Sequence, residues 1–147
     1  SGERWGIILI GDGPERKKLQ ILAERMEREI PELRIVLPGY RPDAAALLPM
    51  LDLFVMPSRY EGFGLALTEA LSAGLPCLCS RADSLPGLCA RSPENTLCTD
   101  FVCGKEMTEV YRRALRLPHL RGKILRTAEQ MTADYLAIYR EAVSQAS

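Results

Sequence analysis

The sequence predicts an α/β fold in which a parallel sheet of four to five short strands is covered by helices on both faces. Short apolar runs alternate along the chain with helical patterns of about ten or more residues, as in successive βαβ units. Those runs are apolar throughout, as in strands buried on both faces, and do not alternate with polar residues. Gly and Pro follow the first three runs closely, at Gly11, Pro38 and Pro57, where a strand must turn toward a helix.

The elements follow in order. Residues 7–10 make the first strand, and Gly11-Asp12-Gly13-Pro14 is its turn. A helix begins near Glu15; Leu19, Leu22, Ala23, Met26 and Ile30 share one face, and the charged residues between them form a solvated face. Pro31 ends it, residues 34–37 form the second strand, and Asp43 is placed to cap a short helix over 44–51. The third strand spans 53–56. Gly62 and Gly64 then open a helix carrying Leu65, Leu67, Ala70, Leu71 and Ala73, which stops at Gly74. Residues 77–79 are the fourth strand, 82–87 a turn-rich segment, and 96–99 a weak fifth strand. Met107, Val110, Tyr111, Ala114 and Leu115 mark a helix, and a last helix or helix pair spans about 120–143, with Ile124, Ala128, Met131, Tyr135, Ile138 and Tyr139 inward.

A chain of 147 residues with 47% hydrophobic content is expected to form one domain, spanning residues 1–147. Lys and Arg total 19, as do Asp and Glu, so no basic excess points to nucleic acid. No apolar run is long enough to span a bilayer. The five cysteines, Cys77, Cys79, Cys89, Cys98 and Cys103, lack paired metal-ligand spacing and read as small core residues in a reducing cytosol. His119 reads as a surface or packing residue.

In open parallel sheets, ligands bind beyond the carboxyl ends of the strands. The loops at 11–14, 39–42 and 58–64 are therefore expected to line one crevice. A helix N-terminus offers unpaired N–H groups and a partial positive charge, suited to phosphate where the backbone can be approached closely. Gly62 and Gly64 permit that approach; alternatively they only make a tight turn. Glu69 lies five residues beyond Gly64, roughly 7 to 8 Å along the helix, about the distance from a diphosphate to its ribose. A carboxylate there can accept hydrogen bonds from two vicinal hydroxyls. Glu61 precedes the helix, and a carboxylate beside a diphosphate is tolerable where it contacts sugar hydroxyls.

Glu61 and Glu69, within Pro57-Ser58-Arg59-Tyr60-Glu61-Gly62-Phe63-Gly64-Leu65 and the helix after it, resemble the Glu-x7-Glu motif of retaining GT-B glycosyltransferases of group 1, or family 4. Ile8-Leu9-Ile10-Gly11-Asp12-Gly13-Pro14, Val36-Leu37-Pro38-Gly39, Leu51-Asp52-Leu53-Phe54-Val55 and Ala73-Gly74-Leu75-Pro76 occur in the family's order. The resemblance covers residues 7–80 well and the rest loosely. It implies the C-terminal half of a GT-B fold, Rossmann-like, that binds a UDP-, GDP- or ADP-sugar without a metal or other cofactor. Glu61 would contact the transferred sugar as the catalytic residue. Backbone N–H groups of Gly62, Phe63, Gly64 and Leu65 would hold the diphosphate, and Glu69 the ribose. Gly39, Tyr40 and Arg41 correspond to the base-contacting loop.

In that family an earlier strand ends in a Gly-Arg pair, followed by a Lys, whose charges neutralise the diphosphate, and nothing before Ile7 matches it. The chain is therefore expected to be a fragment that lacks the N-terminal acceptor domain and is inactive alone, with Arg41 and Arg59 placed to supply part of the missing charge. Expected partners are the nucleotide-sugar donor, that N-terminal domain and a glycan or lipid-linked acceptor. The expected location is cytoplasmic, peripheral at the inner membrane face through the absent domain. The alternative is a non-catalytic nucleotide-binding or interaction module with a Rossmann-like fold. Gly11-x-Gly13 supports it weakly, because Arg16 stands where a third glycine belongs. A phospho-accepting signalling domain would need an Asp where Ser58 stands.

Overall fold

The computed structural model describes residues 4–101, 104–120, 132, 133, 136, 137 and 140. The chain divides into two compact units, Ser1–Ala46 and Leu47–Ser147.

The first unit is one βαβ step. Strand β1 (Trp5–Ile10) leads through the Gly11-Asp12-Gly13 turn into helix α1 (Arg16–Glu29), and β2 (Leu33–Gly39) returns parallel to β1. Trp5 lies opposite Leu33 and Ile7 opposite Ile35; a shift between Ile8 and Ile10 then brings Ile10 opposite Gly39. Two side chains tie α1 to β2. The Glu27 carboxylate accepts the Ile35 N–H at 2.7 Å, and the Arg16 guanidinium donates to the Leu37 carbonyl at 2.9 Å. Of the apolar face expected on α1, Ala23 is buried and Met26 half-buried, whereas Leu19, Leu22 and Ile30 are exposed. One helix on a two-stranded ribbon can cover only part of its apolar surface.

Helix α2 (Ala44–Leu47) crosses the boundary and tightens into a 3₁₀ turn over Leu48–Met50. The sequence suggested one helix over 44–51. Pro49 has no N–H to continue the α-helical ladder, and a short 3₁₀ turn accommodates that loss.

In the second unit β3 (Phe54–Met56), β4 (Cys77–Ser80) and β5 (Thr96–Thr99) form a parallel sheet in the order β3-β4-β5. Helix α3 (Leu65–Ser72) connects β3 to β4, α4 (Leu85–Cys89) connects β4 to β5, and α5 (Lys105–Ala114) follows. Phe54 faces Cys77 across one ladder; Cys79 faces Cys98 across the other. All of β4 is buried, and its Cys77 and Cys79 pack with Leu67, Ala70 and Leu71 of α3 and with Leu85 and Cys89 of α4. Buried Asn95 anchors the start of this strand: its Nδ2 donates to the Leu75 carbonyl at 2.7 Å, and its own carbonyl accepts the Cys77 N–H at 2.9 Å.

Residues 82–87, expected to be turns, contribute to α4. Pro86 stands in the first helical turn, where a missing N–H costs nothing, so the Leu85-Pro86 pair opens the helix and Leu85 and Cys89, four apart, bury one face. The expected inward residues Ile124, Ala128, Met131, Tyr135, Ile138 and Tyr139, together with Cys103, lie outside the described residues. Among the described residues no helix is long and apolar enough to cross a membrane.

Cys77, Cys79 and Cys89 are buried free thiols, and Cys98 is half-buried. Burial pushes the Cys77 thiol up to about 12, and burial together with the neighbouring Cys89 does the same to Cys98. The hydrogen bond with Cys79, then burial, raises Cys89 as well. An unfolded chain releases these protons near the ordinary value of 9.0, whereas the folded chain keeps those of Cys77 and Cys98 until about 12. Across that window the unfolded state binds fewer protons, so stability falls as pH rises. Urea midpoints should be flat from neutral pH to about 9 and then decline. A Cys77→Ala, Cys98→Ala chain should decline less steeply over the same range.

Candidate functional site

The loop between β3 and α3 is built on Gly64. This residue is the N-cap of α3, with left-handed φ 81 and ψ 43. A Cβ there would lie 2.8 Å from Leu88 Cδ1 and 3.2 Å from Leu85 Cδ2, so both conformation and space require glycine. Gly62 has neither constraint: its φ is not positive, and a Cβ on it would meet nothing within 4 Å.

Glu61 Oε1 accepts the Gly64 N–H at 3.0 Å and so closes the 61–64 turn, placing a carboxylate at the partly positive end of α3. The N–H groups of the next helical residues have no partner within the helix by geometry alone. The Glu61 N–H donates to Asp83 Oδ2 at 2.7 Å, and Ser80 Oγ donates to the Ser58 carbonyl at 2.6 Å. The loop is thus held by the last residue of β4 and by the segment after it, at two points 22 residues away in sequence. Glu69 is exposed on α3, on the face away from buried Leu67, Ala70 and Leu71. Phe63 and Leu65, the apolar residues on either side of Gly64 in the chain, are 57% and 67% exposed.

The expected site residues fall in both units. Glu61, Gly62, Phe63, Gly64, Leu65 and Glu69 belong to the second; Gly39, Tyr40 and Arg41 belong to the first. Gly39 closes β2 with φ 83, and its carbonyl accepts the Gly11 N–H at 2.9 Å. Tyr40 is exposed. Arg41 grips Asp43 with two hydrogen bonds, Nε to Oδ1 at 2.7 Å and Nη2 to Oδ2 at 2.6 Å. That bond raises the Arg41 pKa and lowers the Asp43 pKa. The Asp43 side chain, expected as a helix cap, is therefore engaged by Arg41, whose guanidinium already has a carboxylate. His119 is exposed.

A concavity of about 210 Å³ between α1 and β2, lined by Arg16, Gln20, Glu24, Glu27, Ile35 and Leu37, contains none of the expected site residues. Among the described residues no group of three or more His, Cys, Asp or Glu side chains could hold a metal ion. Sequence reading passed over Ser80, Asp83, Leu85 and Leu88, which support the loop. The only local signal was Leu85-Pro86 as a helix start.

Residues 2–117 match the model of the family described as Glycosyl transferases group 1. The chain belongs to this family. It is 34% identical over 92 residues to an N-acetyl-alpha-D-glucosaminyl L-malate synthase of Bacillus anthracis, covering 63% of this chain and 23% of that protein. An O-antigen chain mannosyltransferase B of Escherichia coli is 46% identical over 88 residues, covering 56% of this chain and 22% of the relative. Among solved structures, WaaG, a glycosyltransferase involved in lipopolysaccharide biosynthesis, superposes with a TM-score of 0.57 at 27% identity, over 74% of this chain and 28% of WaaG. This group 1 glycosyltransferase chain thus spans about a quarter of the length of the relatives it matches. The expected GT-B relationship and α/β class hold.

The fit around Gly64 carries a consequence for stability. Gly64→Ala must keep a left-handed backbone and displace Leu88, so it should destabilise the chain by about 3 kcal/mol. Adding Leu88→Ala should recover only the part owed to the Leu88 clash, because the φ strain and the tight approach to Leu85 stay; urea unfolding of both single variants and the double variant separates the contributions.

Proposed function

We propose that this chain is the donor-binding part of a retaining, family 4 glycosyltransferase that moves a sugar from a nucleotide-diphosphate sugar to a glycan or lipid-linked acceptor. The observation that carries the reading is the loop before α3. There a carboxylate, a left-handed glycine and a helix start lie together, with a second carboxylate exposed five residues further on.

On this reading the N–H groups of Gly62, Phe63 and Leu65, joined by that of Gly64 once Glu61 turns from it to the sugar, hold the diphosphate, whose charge the α3 N-terminus favours without a metal. Glu69 accepts hydrogen bonds from the ribose hydroxyls, and Glu61 meets the transferred sugar. Gly39, Tyr40 and Arg41 serve the base, the first two through backbone and exposed ring. Arg59, exposed in the motif loop, and Arg41, once released from Asp43, supply charge to the phosphates. The remaining part of the enzyme provides the acceptor domain, and the protein works in the cytoplasm or at the inner face of the membrane. The relatives' names span an L-malate product and an O-antigen chain, so likeness across this chain does not fix the acceptor.

Titration with UDP-, GDP- and ADP-sugars, followed by backbone amide shifts, should move residues 58–69 and 39–41. Shifts centred on residues 11–16 with a nicotinamide cofactor would sink the reading. Glu69→Gln should weaken nucleotide binding about fivefold to tenfold, the range expected for losing hydrogen bonds to a charged acceptor. In the full-length enzyme Glu61→Gln should lower kcat far more than it changes the donor KM.

A further inference from the structure

The segment after β4 contains the one described residue other than glycine with a positive φ, Asp83 at φ 39. Left-handed backbone is costly for a side chain, and aspartate tolerates it better than most because its short carboxylate can bond locally. Here the bond is not local. Asp83 Oδ2 accepts the N–H of Glu61 at 2.7 Å across 22 residues, while three residues earlier Ser80 Oγ donates to Ser58. Glu61 is therefore fixed on both sides: its N–H by Asp83, its carboxylate by Gly64. Asp83 itself is exposed and belongs to no buried cluster; its backbone lies in the turn that the Leu85 N–H closes on the Ala82 carbonyl at 2.9 Å, and its carboxylate is directed to the motif loop.

We infer that Asp83 is a positioning residue for Glu61, holding the backbone of the motif loop in the arrangement that receives the donor. The inference rests on the donor-site reading above. It also has a sign that simple electrostatics does not share. A carboxylate near a diphosphate repels it, so removing charge alone strengthens binding; removing the tether weakens it.

Two variants of the full-length protein separate these effects. Asp83→Asn removes the charge, keeps an acceptor oxygen and tolerates the left-handed backbone, whereas Asp83→Gly keeps the backbone conformation and removes both charge and acceptor. With UDP as the calorimetric probe, the Asp83→Gly protein should bind about fivefold more weakly than Asp83→Asn. Hydrogen–deuterium exchange should show faster uptake in the peptide containing Glu61 for Asp83→Gly, and slow uptake restored in Asp83→Asn. Equal UDP affinities for the two variants overturn the positioning role, and unchanged exchange in Asp83→Gly overturns the tether itself. If the unsubstituted protein fails to bind UDP, the donor-site reading falls and the proposal with it. That failure is visible before any variant is made.

Discussion

At Gly64 the chain must leave the β3–α3 loop and enter α3 with a left-handed backbone, and Leu85 and Leu88 fill the space where a side chain would begin. That fit determines much of what surrounds it. It sets where the first turn of α3 starts and brings the Gly64 N–H within reach of Glu61. Its floor is α4, whose Leu85 also belongs to the core with Leu67, Leu71, Cys77 and Cys79. A helix only five residues long thereby links the buried sheet to the exposed loop.

Polar atoms secure the same architecture where packing alone would leave the chain free. Asn95 fastens the Leu75-to-Cys77 entry of β4 from the β5 side, and the Thr96 hydroxyl is shared between the carbonyls of Cys89 and Ser92 at the end of α4. These are side-chain bonds to backbone atoms in buried surroundings, where leaving a carbonyl unpaired costs about 1–3 kcal/mol. The 58–64 loop depends on one exposed bond, from the Glu61 N–H to Asp83, and two partly buried ones, and water competes most readily for the first.

Most of the second unit was legible because its signals are local. Apolar runs marked β3 and β4, residues 96–99 read as a weak strand and form β5, and the spacing of Leu67, Ala70 and Leu71 marked the buried side of α3. The same reading treated Pro86 and Gly87 as breakers and missed α4, since a proline in a first turn and a proline in a loop have the same composition. It placed Glu61 and Glu69 on the right element, but Asp83 and Ser80 act across 22 residues, and no periodicity encodes a contact of that separation. Arg41 looked available for an anion because its partner, Asp43, was assigned to the helix start instead. On α1 the pattern correctly grouped Leu19, Leu22 and Ala23 on one face, yet only Ala23 is fully buried. A pattern reports which residues share a face, while the depth of burial depends on what covers it.

The two bonds that join residues 58 and 61 to residues 80 and 83 also bear on how such enzymes can be recombined. A loop exchanged between relatives would arrive without the serine, the aspartate and the leucine pair that seat it. Residues 57–69 and 80–88 are thus best exchanged together, because a chimera that moves the first without matching partners in the second keeps the Glu-x7-Glu spelling and loses the contacts that seat it.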